Sequence, residues 1–187
     1  MATTKVDPVL FDTTGTASSS TFLRGDGAWS AAGFTVSSEV TQPEPFDVTG
    51  IPSGTKVIIV NFEGISTDGV SGNSGIYMQL GDAGGFETSG YTGGACLHNS
   101  SSVNEATDKG YLTYDNAAAT WYGNITMSLE DSTNNTWVWS GVLFDTTVGT
   151  AQTMTVAGHK ALSAVLTQLR FDAVDDFSTG TISVTYN

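Results

Sequence analysis

From Phe34 onward the chain reads as short runs of β-branched and aromatic residues, broken by Gly, Asn, Asp, Ser and Pro at roughly every dozen positions. Several runs alternate cleanly. Tyr122, Asn124, Thr126 and Ser128 take one phase while Gly123, Ile125, Met127 and Leu129 take the other, and a period of two sends successive side chains to opposite faces of a strand. Val165, Leu166, Leu169 and Phe171, then Ile182, Val184 and Tyr186, punctuate polar neighbours in the same manner. The pattern predicts strands over Phe34–Val40, Phe46–Val48, Lys56–Ile65, Gly75–Gly81, Ala95–His98, Tyr111–Tyr114, Thr120–Glu130, Thr136–Phe144, Thr153–Ala157, Ala164–Ala173 and Gly180–Tyr186. The strongest helix candidate, Gly158–Leu169, rests on composition alone, and its second half is assigned to a strand. The expected fold is all-β, a single antiparallel β-sandwich of jelly-roll-like build. Pro43, Pro45 and Pro52 fall in connections, where a sheet tolerates them. The Gly-rich stretches Gly69–Gly75 and Gly81–Gly94 read as long surface loops, the usual place for recognition on a rigid scaffold.

Residues 1–33 differ. They are rich in Thr, Ser, Ala and Gly, with isolated apolar positions at Val6, Val9, Leu10, Phe11, Phe22, Leu23 and Trp29, too few to build a separate core. Such a segment orders only against its own copies or a neighbouring protein. The expected organisation is therefore a short extended N-terminal arm over 1–33, for attachment and oligomerisation, and a β-sandwich knob over 34–187. A knob of roughly 150 residues buries about two thirds of the surface its unfolded chain exposes, enough for a core without disulfides. The lone Cys96 is accordingly expected to serve as a small core hydrophobe.

Charge narrows the range of partners. The 187 residues hold 19 acidic and six basic side chains, a net of −13 with only 13% of residues charged. A phosphate-backbone binder needs clustered cations, and Lys5, Arg24, Lys56, Lys109, Lys160 and Arg170 are scattered singly, so nucleic acid is not an expected partner. The N-terminus lacks a basic stretch followed by an apolar one, and no 18 apolar residues run together, so neither a secretory signal nor membrane insertion is expected.

The stretch Thr14-Gly15-Thr16-Ala17-Ser18-Ser19-Ser20-Thr21-Phe22-Leu23-Arg24-Gly25-Asp26-Gly27-Ala28-Trp29-Ser30 resembles the segment "GTASSSTFLRGDGTW" that stands ahead of a terminal domain in many phage tail-fibre and appendage proteins. The remainder resembles a phage knob domain, with Val48–Gly54, Gly64–Thr67, Met78–Tyr91 and the closing Phe177–Tyr186 as its landmarks. The two resemblances imply a homotrimeric, β-rich protein on the surface of a tailed-bacteriophage virion, made in the bacterial host cytoplasm. Long tail fibres carry a large region before this segment, whereas residues 1–22 alone precede Leu23 here. A short arm with a knob is also the build of a head-fibre or capsid decoration protein, so host attachment and shell decoration are both expectations.

Within that frame Phe22, Leu23, Arg24, Asp26 and Trp29 are the expected arm and oligomerisation residues. Gly25 and Gly27 allow a tight turn, Arg24 and Asp26 pair within or between subunits, and Trp29 anchors by packing. Partners expected through residues 1–33 are other virion proteins. Trp121, Tyr122, Trp137 and Trp139 are candidate rings for a host-surface glycan or for core or subunit-interface packing. His98 and His159 lack a partner at zinc spacing; Asp82, Glu87, Asp172, Asp175 and Asp176 could offer oxygens to calcium but without EF-hand spacing, so no metal or cofactor is expected. No nucleophile elbow, phosphate loop or triad arrangement is evident, so no catalytic residue is expected; a glycan-cleaving appendage enzyme is the third alternative.

Overall fold

The computed structural model describes the backbone of residues 21–23, 29–31 and 35–40 and, with their side chains, residues 45–69, 75–98, 103–114, 119–146 and 152–187. The chain divides into two units, Met1–Phe34 and Thr35–Asn187. In the first, β1 (Thr21–Leu23) pairs antiparallel with β2 (Trp29–Ala31), setting Leu23 opposite Trp29 and Phe22 opposite Ser30. The segment expected to be extended chain thus contains a strand pair. The oligomerisation residues Arg24 and Asp26, and the side chains of Phe22, Leu23 and Trp29, lie outside the described residues.

The second unit is an all-β sandwich with no helix among the described residues. Its strands are β3 (Thr35–Val40), β4 (Phe46–Thr49), β5 (Val57–Thr67), β6 (Tyr77–Asp82), β7 (Gly85–Phe86), β8 (Thr92–Leu97), β9 (Val103–Glu105), β10 (Gly110–Tyr111), β11 (Trp121–Asp131), β12 (Thr136–Asp145), β13 (Gln152–Ala161), β14 (Gln168–Asp172) and β15 (Phe177–Tyr186). Eight form a large sheet in the order β3-β15-β5-β11-β12-β13-β8-β9; the smaller sheet runs β10-β6-β14-β4, with β7 on β6. The meander β11-β12-β13 occupies the middle of the large sheet, with Met127 opposite Trp139 and Trp139 opposite Gly158.

The inward phase of each strand meets in one core. Ile58, Val60, Ile125, Met127, Trp137, Trp139 and Leu143 from the large sheet share it with Phe46, Met78, Leu80, Leu169 and Phe171 from the small one. Phe171 stacks on Phe46 at 5.9 Å and meets Phe62 edge-on at 6.3 Å, joining the layers.

Three expectations shift. The helix candidate at Gly158–Leu169 is the end of β13, a crossover and the start of β14. Leu162 and Leu166 are both buried as the chain passes between sheets, where Leu162 N–H donates to Asn135 O and Thr167 N–H to Gly81 O. The predicted strand Tyr111–Tyr114 ends at Tyr111 because Leu112 and Thr113 both donate to the Ile76 carbonyl and Thr113 Oγ1 accepts from Ile76 N–H at 2.8 Å, which breaks the ladder. Cys96 does not join the core: Ala95 and Leu97 take the inward phase of β8, leaving the thiol half-buried on the outer side.

Trp139 is 2% exposed because two glycines leave room for its indole. A Cβ on Gly158 would fall 2.4 Å from Trp139 Cζ2, and one on Gly110 2.8 Å from the same atom. Gly158→Ala is expected to cost about 1–3 kcal/mol, by overpacking a filled core. Urea denaturation checks it: the midpoint falls while the slope is unchanged.

Candidate functional site

The alternation that builds the core also builds an outer face. On β11 the residues turned away from the core are Tyr122, Asn124, Thr126, Ser128 and Glu130; on β12 they are Thr136, Val138, Ser140, Val142 and Phe144; on β13 they are Thr153, Thr155, Ala157, His159 and Ala161. The part of this face around Val142 is neutral, while Glu130, and the exposed Glu63 on β5 and Glu105 on β9, bring negative charge to its margins. Val142 and Phe144 remain 52% and 42% exposed. Phe144 stands opposite Tyr122, and the rings stack at 5.5 Å and 20°. Beneath Tyr122 lies Gly64 at φ 66°, where a Cβ would come 3.3 Å from the phenol oxygen.

The strand registers extend this face sideways. Val142 stands opposite Thr155, Thr155 opposite Cys96, and Cys96 opposite Val103, itself 52% exposed. In the other direction Val142 faces Asn124, and Asn124 faces Asn61. His98 Nε2 and Thr155 Oγ1 share a 2.5 Å hydrogen bond within this face.

The outer side of the small sheet has the opposite character. Arg170 grips Asp47 with two 2.7 Å bonds and lies 4.3 Å from the Phe86 ring centre, Tyr77 Oη donates to Asp172 at 3.0 Å, and Lys109 Nζ sits 4.2 Å over Tyr77. The hydrogen bond to Asp47 raises the Arg170 pKa further.

The four rings singled out in the sequence separate. Trp121, Trp137 and Trp139 are each 2% exposed within a single chain, so they are core residues that neither a glycan nor a neighbouring subunit can reach. Tyr122 alone of the four keeps part of its surface, and the ring beside it, Phe144, was not singled out. Its phase in β12, opposite to that of Trp137, Trp139 and Leu143, was the signal available.

The calcium candidates Asp82 and Glu87 serve instead in a polar clamp. Lys160 is only 4% exposed; its Nζ donates to Glu87 Oε2 at 2.5 Å and to the Ala161 carbonyl, 5.7 Å from the Tyr91 ring centre. Glu87 Oε1 accepts from Ser163 N–H at 2.6 Å, Ser163 Oγ donates to Asp82 Oδ2 at 2.6 Å, and Asp82 Oδ1 accepts from Gly84 N–H at 2.7 Å. Tyr91 Oη accepts from Leu80 N–H at 2.7 Å and donates to Glu87 O at 3.1 Å. The stretch expected to be a long surface loop is therefore tied down over 82–91. Asp172, besides Tyr77, accepts from Ala173 N–H. Among the described residues no group of three His, Cys, Asp or Glu is placed to hold a metal ion.

These contacts shift the titrations. Hydrogen bonds from Ser163 and then Gly84 hold the Asp82 carboxyl below its ordinary 3.8, against an opposing effect of burial. For Glu87 burial pushes the pKa up, but the hydrogen bonds from Lys160 and Ser163 outweigh it, leaving the group below 4.5. Burial pushes Tyr91 up to about 12.

Both carboxylates have lower pKa values folded than unfolded, so their contribution to stability is complete above the ordinary values of 4.5 and 3.8 and is lost as pH falls through the folded ones. Glu87→Gln is expected to remove part of this acid sensitivity and, by leaving the buried Lys160 short of its partner, to cost about 1–3 kcal/mol at neutral pH; urea titrations across the acid range read both effects. Tyr91 has the opposite sign. Its contribution is complete below pH 10 and is lost as pH rises toward about 12, so Tyr91→Phe is expected to delete the latest component of the phenolate absorbance titration.

Comparison with protein-family models, with curated proteins and with solved structures finds no match for the chain.

Proposed function

We propose that the protein is a non-enzymatic surface component of a tailed-bacteriophage virion: a homotrimeric fibre-type knob that takes part in host attachment, with residues 1–33 holding it to other virion proteins. The observation that carries this reading is the two-unit build. The segment resembling the phage appendage motif, with its strand pair β1–β2, lies in a unit of its own, followed by an antiparallel sandwich. A sandwich of this kind is a rigid platform for displayed surfaces. Three weak sites per trimer and many trimers per particle raise avidity by about 10² to 10⁴ over one contact.

One observation favours the second reading, a head-fibre or capsid decoration protein. The cavity among Pro52, Thr55, Trp137 and Leu166 has a volume of about 60 Å³, space for a few waters, and the outer face of the large sheet exposes Val142 and Phe144 among neutral polar residues, with Glu63, Glu105 and Glu130 at its margins. An open sheet face suits a protein shell better than a small saccharide.

Labelled protein is expected to bind host cells and to slow phage adsorption, and to leave expanded empty capsids uncoated. Binding to capsids alone would transfer the assignment to decoration, and binding to neither would count against both. Light scattering is expected to give three times the 19.5 kDa chain mass.

A further inference from the structure

We infer that the segment 83–90 is a latched flap: the ion pair between Lys160 and Glu87 shuts it onto the crossover that follows β13, and acid releases it as a local unit while both sheets stay folded, whatever the knob binds.

Apolar packing does not account for the closed position. Asp82 and Tyr91 at its two ends are buried, but none of the side chains between them is: Ala83, Thr88 and Ser89 are exposed, and Phe86 is half-buried with Arg170 4.3 Å from its ring centre. The backbone adds the Glu87 N–H to Leu80 O bond at 3.0 Å and the two-residue pairing of β7 with β6. Gly85 at φ 119° and Gly90 at φ 76° let the chain be re-aimed near either end. The closed position therefore depends on polar bonds. Lys160 Nζ donates to Glu87 Oε2, Ser163 N–H to Glu87 Oε1, and Ser163 Oγ to Asp82 Oδ2.

Protonation of Glu87 removes the reason to close. It leaves an ammonium that is 4% exposed without a bonded carboxylate, and a buried charge deprived of its partner is strongly destabilising. Opening the flap returns that ammonium to water. The surrounding groups offer no substitute: Asp82 acts on Lys160 across Ser163 without a direct bond, Asp108 acts on the Tyr91 phenol, and Arg170 is gripped by Asp47. Burial raises the Glu87 pKa, and the bonds from Lys160 and Ser163 lower it by more. The closed form is accordingly favoured above the ordinary 4.5 and is lost as pH falls through the lower folded value.

Native-state hydrogen exchange on the full chain, corrected for the intrinsic rate at each pH, reads the opening. From neutral pH to about pH 3.5 the Gly84 and Glu87 amides are expected to lose at least about tenfold in protection while the amides of β11 and β12 stay protected. Low urea is expected to speed exchange in β11 and β12 and to leave the segment unchanged, because a local opening exposes little surface. Glu87→Gln keeps the shape and an acceptor for Ser163 N–H, and is expected to bring the same loss at neutral pH. Segment amides that stay protected in acid, or in this variant at neutral pH, would overturn the latch. So would loss of segment and sheet protection together with one urea dependence. The unaltered chain supplies the acid and urea readings, so they decide the matter even where the variant does not fold.

Discussion

Burial of Trp137 and Trp139 at two successive inward positions of β12 constrains the rest of the sandwich. An indole buries on the order of 150–250 Å², and a slip of one residue in strand register would turn both rings to solvent while drawing Val138, Ser140, Val142 and Phe144 inward. The register of β12 is therefore strongly held, and its neighbours inherit it. Met127 and Leu129 stand opposite Trp139 and Trp137 on one side, and Gly158 and Lys160 on the other. A glycine opposite Trp139 makes space for the ring. A lysine opposite Trp137 creates a different problem, because the phase that buries Met154 and Val156 also carries Lys160 inside.

The clamp is the solution to that problem. An ammonium group held 4% exposed must find a carboxylate, and Glu87 supplies one from the other sheet's connecting segment. Once Glu87 is drawn in, its second oxygen takes Ser163 N–H, Ser163 reaches Asp82, and the 82–91 stretch is fixed against the crossover that follows β13. Packing of two tryptophans thus propagates through strand phase into a polar network, and the network converts a Gly-rich segment from a free loop into part of the scaffold.

Alternation made much of this legible before the structure. Two of the three meander strands fall within one residue of their expected ends, helped by the strict period of two over Tyr122–Leu129, whereas β13 runs to Ala161, four residues past the expected end at Ala157. Composition without alternation misled at Gly158–Leu169, where Leu162 and Leu166 serve a crossover. The phase of Lys160 relative to Met154 and Val156 was readable, but its partners were not: Glu87 lies 73 residues away, and Ser163 reaches Asp82 across 81. The outer face was half legible. Each strand's outward phase could be read singly, but the row from Val103 through Cys96, Thr155 and Val142 to Asn124 exists only once the strand order is known.

The sheet edges bear on how such a sandwich meets its neighbours. Exposed edges invite pairing with another chain, and here they are short or charged. In the large sheet β9 has three residues and ends at Glu105, while the opposite edge, β3, has six and includes Glu39; in the small sheet β10 has two residues, and β4 has four, with Asp47 exposed and Pro45 just ahead of it. Strand-to-strand addition at β9, β10 or β4 would offer few hydrogen bonds, and at β3 or β4 a second copy would set like charges side by side. The two faces differ in how they hold charge: on one, Arg170 is paired with Asp47 and Tyr77 donates to Asp172, while the other carries stacked rings, two exposed valines and neutral polar groups at its middle and leaves Glu63, Glu105 and Glu130 exposed toward its margins.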